Sequence, residues 1–472
     1  MYQIFKLEIK RKLKSPVVWI LVAIMMLLLY VNIDMSIESN EMKKILDKKS
    51  NQYIIYREID KKTLLTKEYK EKAYGKNYEE YVDMHDKSYK TRSLYNAIVH
   101  NYDVSIKDFQ DENYVKINKT EAFDSLLDAN YEANSERNKY SSFSKYLCDI
   151  TNKELWDRIS DGVKYEDIDF KNEGSEFASP RGYLYSTISN IFKAKRYYYL
   201  YNNDLIGMKL DEFNNLNILN DWINSIVPII IIIISILLNY NLINKDVKEG
   251  STKLLITQSI PRWKYYIGKF IASTIVVIIT VIIPLFISNI YIKTQIKTQP
   301  INYPIVYDKQ GIKTFEPSFN YIEKNFEKYE KPVEVDFYKM PYSIKSNDLM
   351  PQPLYQRNIN LIGFNKFLIL TFLYSVLFIM FMVAFVQLCS AILNNVYLSL
   401  LASTAIYGLF YFLFKPFLYG KHYNLCPFTM NNGARIVAGT HNVTMLTALL
   451  VLGFSTIILL LVGVKYFKKK GI

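Results

Sequence analysis

Cysteine is scarce in this chain. Three occur in 472 residues (Cys148, Cys389 and Cys426), far apart and without CxxC spacing, which speaks against a disulfide framework and against a zinc site. No GxxxxGK[ST] is present, so the chain cradles no nucleotide phosphate through a P-loop, and no HExxH is present either. The four histidines (His85, His100, His422, His441) lack ligand spacing; His422 and Cys426, four apart, form a pair that is more often incidental than metal-binding. No Ser-His-Asp set suggests itself. Proline is missing between Pro16 and Pro180. Charge is missing from whole stretches of twenty residues or more, while other stretches carry one every three or four residues. That split is the signature of a polytopic membrane protein with water-soluble portions.

What is present fits the same reading. Half of the residues are hydrophobic, and the formal net charge is +13. A hydrocarbon core of about 30 Å needs about 20 apolar residues of helix. Six stretches qualify, at 17–35, 221–243, 267–292, 361–393, 396–418 and 443–466. Pro228, in "IVPIIIIIISILL", and Pro284 do not exclude helices, because freed backbone groups can be satisfied inside a bundle. The expected fold is an α-helical membrane protein with six transmembrane helices.

Basic residues set the orientation. Segment 1–16 carries five basic groups against Glu8 alone, and the C-terminal "KYFKKKGI" carries four against none. The long segments 36–220 and 293–360 are close to balanced. Both termini and the 244–266 loop are therefore expected in the cytoplasm, and both long segments outside. The bias towards Ile, Lys, Asn and Tyr looks bacterial, so the expected location is a bacterial cytoplasmic membrane. The first span reads as an uncleaved signal anchor, since no small-x-small cleavage pattern follows it.

Segment 36–220, dense in charge and apolar at three- and four-residue spacing, is expected to be a mostly helical extracellular domain. Segment 293–360 holds seven of the fourteen prolines. Its "PIVYDKQGIKTFE" reads as a hairpin around Asp308–Gly311 and its "VEVDF" as a strand, which makes a smaller mixed α/β lobe.

Between two oily runs lies "INKDVKEGSTKLLITQSIPRWKYYIGKF", with six Lys or Arg against Asp246 and Glu249. Lipid headgroups would attract the cations but do not explain why Leu254–Ile256 sit in mid-loop. A short amphipathic helix docking into a groove on a soluble protein explains both. The spans hold almost no ionisable group, with Asp34 and Lys415 near their outer ends. A proton- or ion-coupled carrier keeps an acid near mid-membrane, so energy has to come from a partner.

"EGSTKLLITQSIPRWKYYIGKF" resembles the cytoplasmic segment of ABC-2 type exporter permeases, with Glu249, Gly250, Lys253, Leu254, Leu255, Thr257, Arg262, Gly268 and Lys269 in step. Ser251 stands where Thr is usual, and the proline has moved to Pro261. "YQIFKLEIKRKLKSP" looks like the family's N-terminal interface helix, with Phe5, Ile9 and Leu13 along one face. "NLCPFTMNNGARIVAG", within 419–442, resembles the outer re-entrant segment, with Pro427 and Phe428 as its core. The resemblance covers about 200 residues and leaves 36–220 uncovered. The kind of member it suggests has a large extracellular domain between the first two spans, as in bacterial exporters of peptide toxins or antimicrobial peptides.

The resemblance implies that the 244–266 elbow is gripped by an ATPase subunit, with Asp246, Glu249, Gly250, Leu254, Leu255, Thr257 and Arg262 as the coupling set. It implies two ATPase copies, a second permease copy (the same or a related chain), and ATP and Mg held by the partner. This chain would have no cofactor and no catalytic or metal site, and no nucleic-acid partner is expected. Uncharged spans suit amphipathic cargo that uses membrane lipid as part of its route. Peptide export or peptide-antibiotic immunity is the expectation, with lipid, glycolipid or drug export as the alternative. A membrane-anchored sensor of an extracellular ligand, and then a membrane enzyme, are the competing classes.

Overall fold

The chain begins with a short helix and a forced turn. α1 (Tyr2–Leu13) ends where Ser15 N–H bonds Lys12 O at 2.9 Å, and Pro16 opens α2 (Pro16–Leu46). Proline suits a first helical position, where its missing N–H has no intrahelical role. Trp19 Nε1 reaches back to Leu13 O at 2.7 Å and satisfies one of the carbonyls that α1 leaves unpaired. The computed structural model describes residues 2–46, 113–134, 141–168, 170, 180–205, 215–248, 261–296, 300–307, 360–414, 425–438 and 443–469, besides positions 104, 107 and 108. The hairpin expected around Asp308–Gly311 and the "VEVDF" strand lie outside them.

In α2 the buried residues Val18, Val22, Met25, Leu29 and Ile33 recur every three or four positions and form one stripe, packed on the third span. Trp19, Ile20, Leu27 and Leu28 on the other faces are exposed. Beyond it, the described residues form a helical unit of α3 (Tyr114–Asn134), α4 (Ser141–Ile159) and α5 (Pro180–Asn202). Its core is Phe123, Leu126, Leu127, Leu155, Trp156, Ile159, Ile168 and Phe170. Trp156 is held edge-on by Phe123 and Tyr165 and donates Nε1–H to Val163 O at 2.7 Å. Asn130 and Asn152 exchange side-chain amide bonds of 3.0 and 2.8 Å across α3 and α4, so neither buried amide is left unpaired.

The second span is interrupted for a local reason. α6 (Asn215–Asp221) passes through a π turn, Trp222–Ile226, into α7 (Val227–Asn239). Pro228 has no N–H to give to the carbonyl of Asn224, four residues back, and the ladder widens there. The chain then bends into α8 (Asn244–Lys248). The third span, α9 (Arg262–Gln295), carries Pro284 inside it.

Strands β1 (Pro304–Tyr307) and β2 (Asn360–Gly363) pair antiparallel, Pro304 against Gly363 and Tyr307 against Asn360. β2 runs directly into the fourth span, α10 (Phe364–Ile392). The first free N–H groups of α10 are taken by the turn before β1: Phe364 N–H bonds Tyr303 O at 2.8 Å and Asn365 N–H bonds Ile301 O at 2.9 Å. Central in the bundle, α10 touches α7, α9, the fifth span α11 (Val396–Phe414), a short helix α12 (Gly433–Val437) and the sixth span α13 (Met445–Lys469). α11 buries only Ser399 and Ser403. Six described helices are long and apolar enough to cross a membrane. The helix order puts α1, α8 and the end of α13 at one end of the bundle, and the helical domain and α12 at the other.

Candidate functional site

The inward stripe of α1 is Ile4, Glu8 and Lys12, two of them charged. Phe5, Ile9 and Leu13 lie beside it, half-buried. Two carboxylates and two cations close a ring below α1. Arg11 bridges Glu8 at 2.9 Å and Asp246 at 2.8 Å. Asp246, 2% exposed, also accepts from the Lys269 ammonium and the Tyr265 hydroxyl. Lys269 donates to Leu242 O at 2.8 Å, lies 3.9 Å from Glu8 and stands over the Tyr265 ring. Every charged group is thereby met by an opposite charge, the condition for keeping ions buried.

Lys12 sits beside the ring with three neutral acceptors: Leu238 O at 3.0 Å, Asn239 Oδ1 at 2.7 Å and Ser273 Oγ at 2.8 Å. Burial, reinforced by the positive charges of Lys269 and Arg11 and opposed by Glu8 and Asp246, pushes the Lys12 ammonium down to about 7.

The elbow's first residues are also held from the side. Ser390 Oγ on α10 accepts from Ile243 N–H at 3.0 Å and Asn244 N–H at 3.3 Å, and donates to Asn244 Oδ1 at 3.2 Å. Ile4, Ile243, Tyr265, Tyr266, Ala391 and Phe467 form an apolar cluster beside the ring. Gly463 on α13 makes room for Tyr266, whose hydroxyl a Cβ at that position would strike. At the elbow's other foot, Arg262 Nη1 donates to Lys468 O at 2.9 Å, a cation on the carbonyl end of α13.

Of the coupling set, Asp246 and Arg262 are therefore the two anchored feet of the elbow. Glu249, Gly250, Leu254, Leu255 and Thr257 lie between them, outside the described residues. The sequence reading did not name Glu8, Arg11, Lys12, Tyr265 or Ser390 as site residues, and took Lys269 only as part of the motif. The available signal was Glu8 and Lys12 spaced four apart with Ile4, which makes the shared face of α1 polar.

At the opposite end, Pro427 and Phe428 occupy a 3-10 turn, Pro427–Thr429, which follows the fifth span in the chain and packs on the fourth and fifth. The Phe428 ring lies 5.1 Å from Phe381, 5.0 Å from Phe385, 5.9 Å from Tyr407 and 5.2 Å from Phe410. Tyr374 donates its hydroxyl to Met430 O at 3.1 Å. Asn432 caps α12 by accepting from Arg435 N–H at 3.0 Å.

These contacts fasten the two ends of the loop, at Asn244 and Asp246 and at Arg262, to α1, α9, α10 and α13. The family described as ABC-2 family transporter protein matches residues 2–471. No curated protein and no solved structure matched the chain. A match over nearly its whole length settles the family: the chain belongs to the ABC-2 family transporter proteins.

Proposed function

We propose that this protein is the permease subunit of an ATP-driven exporter that moves amphipathic peptides out of the cell, working with two ATPase subunits and a second permease copy. Membership of the family itself implies a membrane transport role and an ABC ATPase partner. The observation that carries the reading is the ring at the elbow's foot. Asp246 is tied to α1 through Arg11 and to the third span through Lys269, and Asn244 is tied to the fourth span through Ser390. A partner that pushes on the elbow moves these helices together. The long apolar spans favour amphipathic cargo, and the helical domain, placed outside by the basic-residue bias, can receive a peptide on release.

The test is purified permease reconstituted with its ATPase. The double change Leu254→Ala, Leu255→Ala should abolish substrate-stimulated hydrolysis and leave insertion intact. If instead the loop serves only to hold anionic lipid, neutralising Lys245, Lys248 and Lys253 does the damage and the leucine pair behaves as wild type. Stimulation by an amphipathic peptide, but not by glycolipid or a small drug, is expected. The reverse ranking overturns the peptide reading and leaves the permease reading standing.

A further inference from the structure

Helix α5 ends in "KAKRYYYLYN", and two of its cations are buried. Lys195 has a partner, Glu154, at 3.1 Å. Arg196 is only 5% exposed, yet no carboxylate among the described residues pairs with it. Its guanidinium lies 5.9 Å from the centre of the Tyr303 ring, and its Nε has no acceptor. Burying a guanidinium without an anion costs more than one cation–π contact returns. Nothing in the ring of Glu8 and Asp246 relieves it, since that cluster lies at the other end of the bundle.

The position says what kind of anion would suit the guanidinium. Tyr303 is fully buried and its carbonyl accepts from Phe364 N–H, the first residue of the fourth span. Tyr199, one turn beyond Arg196, donates its hydroxyl to Asn302 O at 3.4 Å. Arg196 is therefore fixed beside the first residue of the fourth span, where headgroups flank the apolar length of a membrane helix. Tyrosine is enriched at that depth. The fork of a guanidinium matches two oxygens of a phosphate, which an ammonium does not.

We propose that Arg196, backed by the Tyr303 ring, is a binding site for a phosphate oxyanion carried by a lipid headgroup. The site is separate from the elbow and independent of the cargo. Phosphatidylglycerol is the probe, added to the purified full chain in a nonionic detergent, with retained lipid counted by native mass spectrometry. Wild type should hold one phosphatidylglycerol more tightly than the rest. Arg196→Gln should weaken that lipid by about tenfold or more, the scale of a lost charge-assisted pair. Arg196→Lys should fall between, Tyr303→Leu should weaken it less than Arg196→Gln, and Lys164→Gln, an exposed control on the same domain, should change nothing. Displacement by millimolar inorganic phosphate identifies a site for the free anion, which overturns the lipid assignment; resistance to it supports a lipid-borne phosphate. Equal retention in wild type and Arg196→Gln overturns the proposal. Should Arg196→Gln fail to fold, equal retention in wild type, Arg196→Lys and Tyr303→Leu overturns it instead.

Discussion

The side-chain amide of Asn432 donates a 2.7 Å hydrogen bond to the main-chain carbonyl of Asn224. That carbonyl is the one Pro228 leaves without its helical N–H, so the residue that caps α12 completes the second span. Removing the donor exposes the cost of the proline. Asn432→Ala should destabilise by about 1 kcal/mol or more, through a part-buried acceptor left without its partner and the lost cap of α12. Pro228→Ala restores the helical N–H, so Asn432→Ala should cost less in that background. Thermal unfolding of the four proteins in the cycle measures the coupling, and strictly additive effects would remove the link.

The ring around Asp246 should respond unevenly to its partners. Asp246 and Lys269 are both buried, and Asp246→Asn leaves Lys269 without its nearest counter-charge, at a cost of about 3–5 kcal/mol. The Arg11 side chain is half exposed, so its arm is screened, and Arg11→Gln should cost about 1 kcal/mol or less. Adding Lys269→Met to Asp246→Asn should recover much of the loss. Melting temperatures decide it, and a larger loss from Arg11→Gln than from Asp246→Asn contradicts the assignment.

Lys12 gives the same region a pH dependence. Its ordinary value of 10.5 falls to about 7 when folded, because of burial first and the positive Lys269 and Arg11 next. Between those values the unfolded chain holds a proton that the folded chain lacks, so stability rises with pH across that window. Below about 7 both states hold it, and the cost of the buried ammonium is fully present. Lys12→Met should flatten the rise in melting temperature that wild type shows from neutral towards alkaline pH. Parallel curves for the two proteins would exclude Lys12 as the cause.

Gly463 tests the seam between the third and sixth spans. A methyl group there meets the Tyr266 hydroxyl and ring, both buried. Gly463→Ala should cost about 1–3 kcal/mol through overpacking. Tyr266→Phe removes the atom that is struck first and should return part of the loss. No rescue in the double variant, measured by unfolding in detergent, means that the clash lies elsewhere.

The spans were legible because about twenty uncharged residues admit few other fates in a chain with charge elsewhere. The elbow was legible as a motif, and Asp246 stood out as an acid among cations. What stayed hidden was the role of α1. The resemblance sets Phe5, Ile9 and Leu13 along one face of α1, and they lie half-buried beside the inward stripe, where Glu8 and Lys12 meet Lys269 and Asn239. No periodicity reports a partner more than two hundred residues away. The π turn was equally hidden: Pro228 was read as tolerable in a bundle, but the donor that makes it so, Asn432, comes from a segment with no helical pattern of its own.

The β1–β2 pair sets Tyr307 directly opposite Asn360. In an antiparallel ladder such partners have Cα atoms about 5 Å apart. The two ends of segment 308–359 are thus brought to a separation that a two-residue turn can span. The pair acts as a socket. Whatever is inserted there, long or short, leaves the spacing of the third and fourth spans unchanged, because loop-closure cost grows only slowly with length. A lineage can therefore enlarge, trim or exchange that segment to suit a new cargo without redesigning the membrane bundle, and an engineer can replace it with a tag or a reporter domain by the same route.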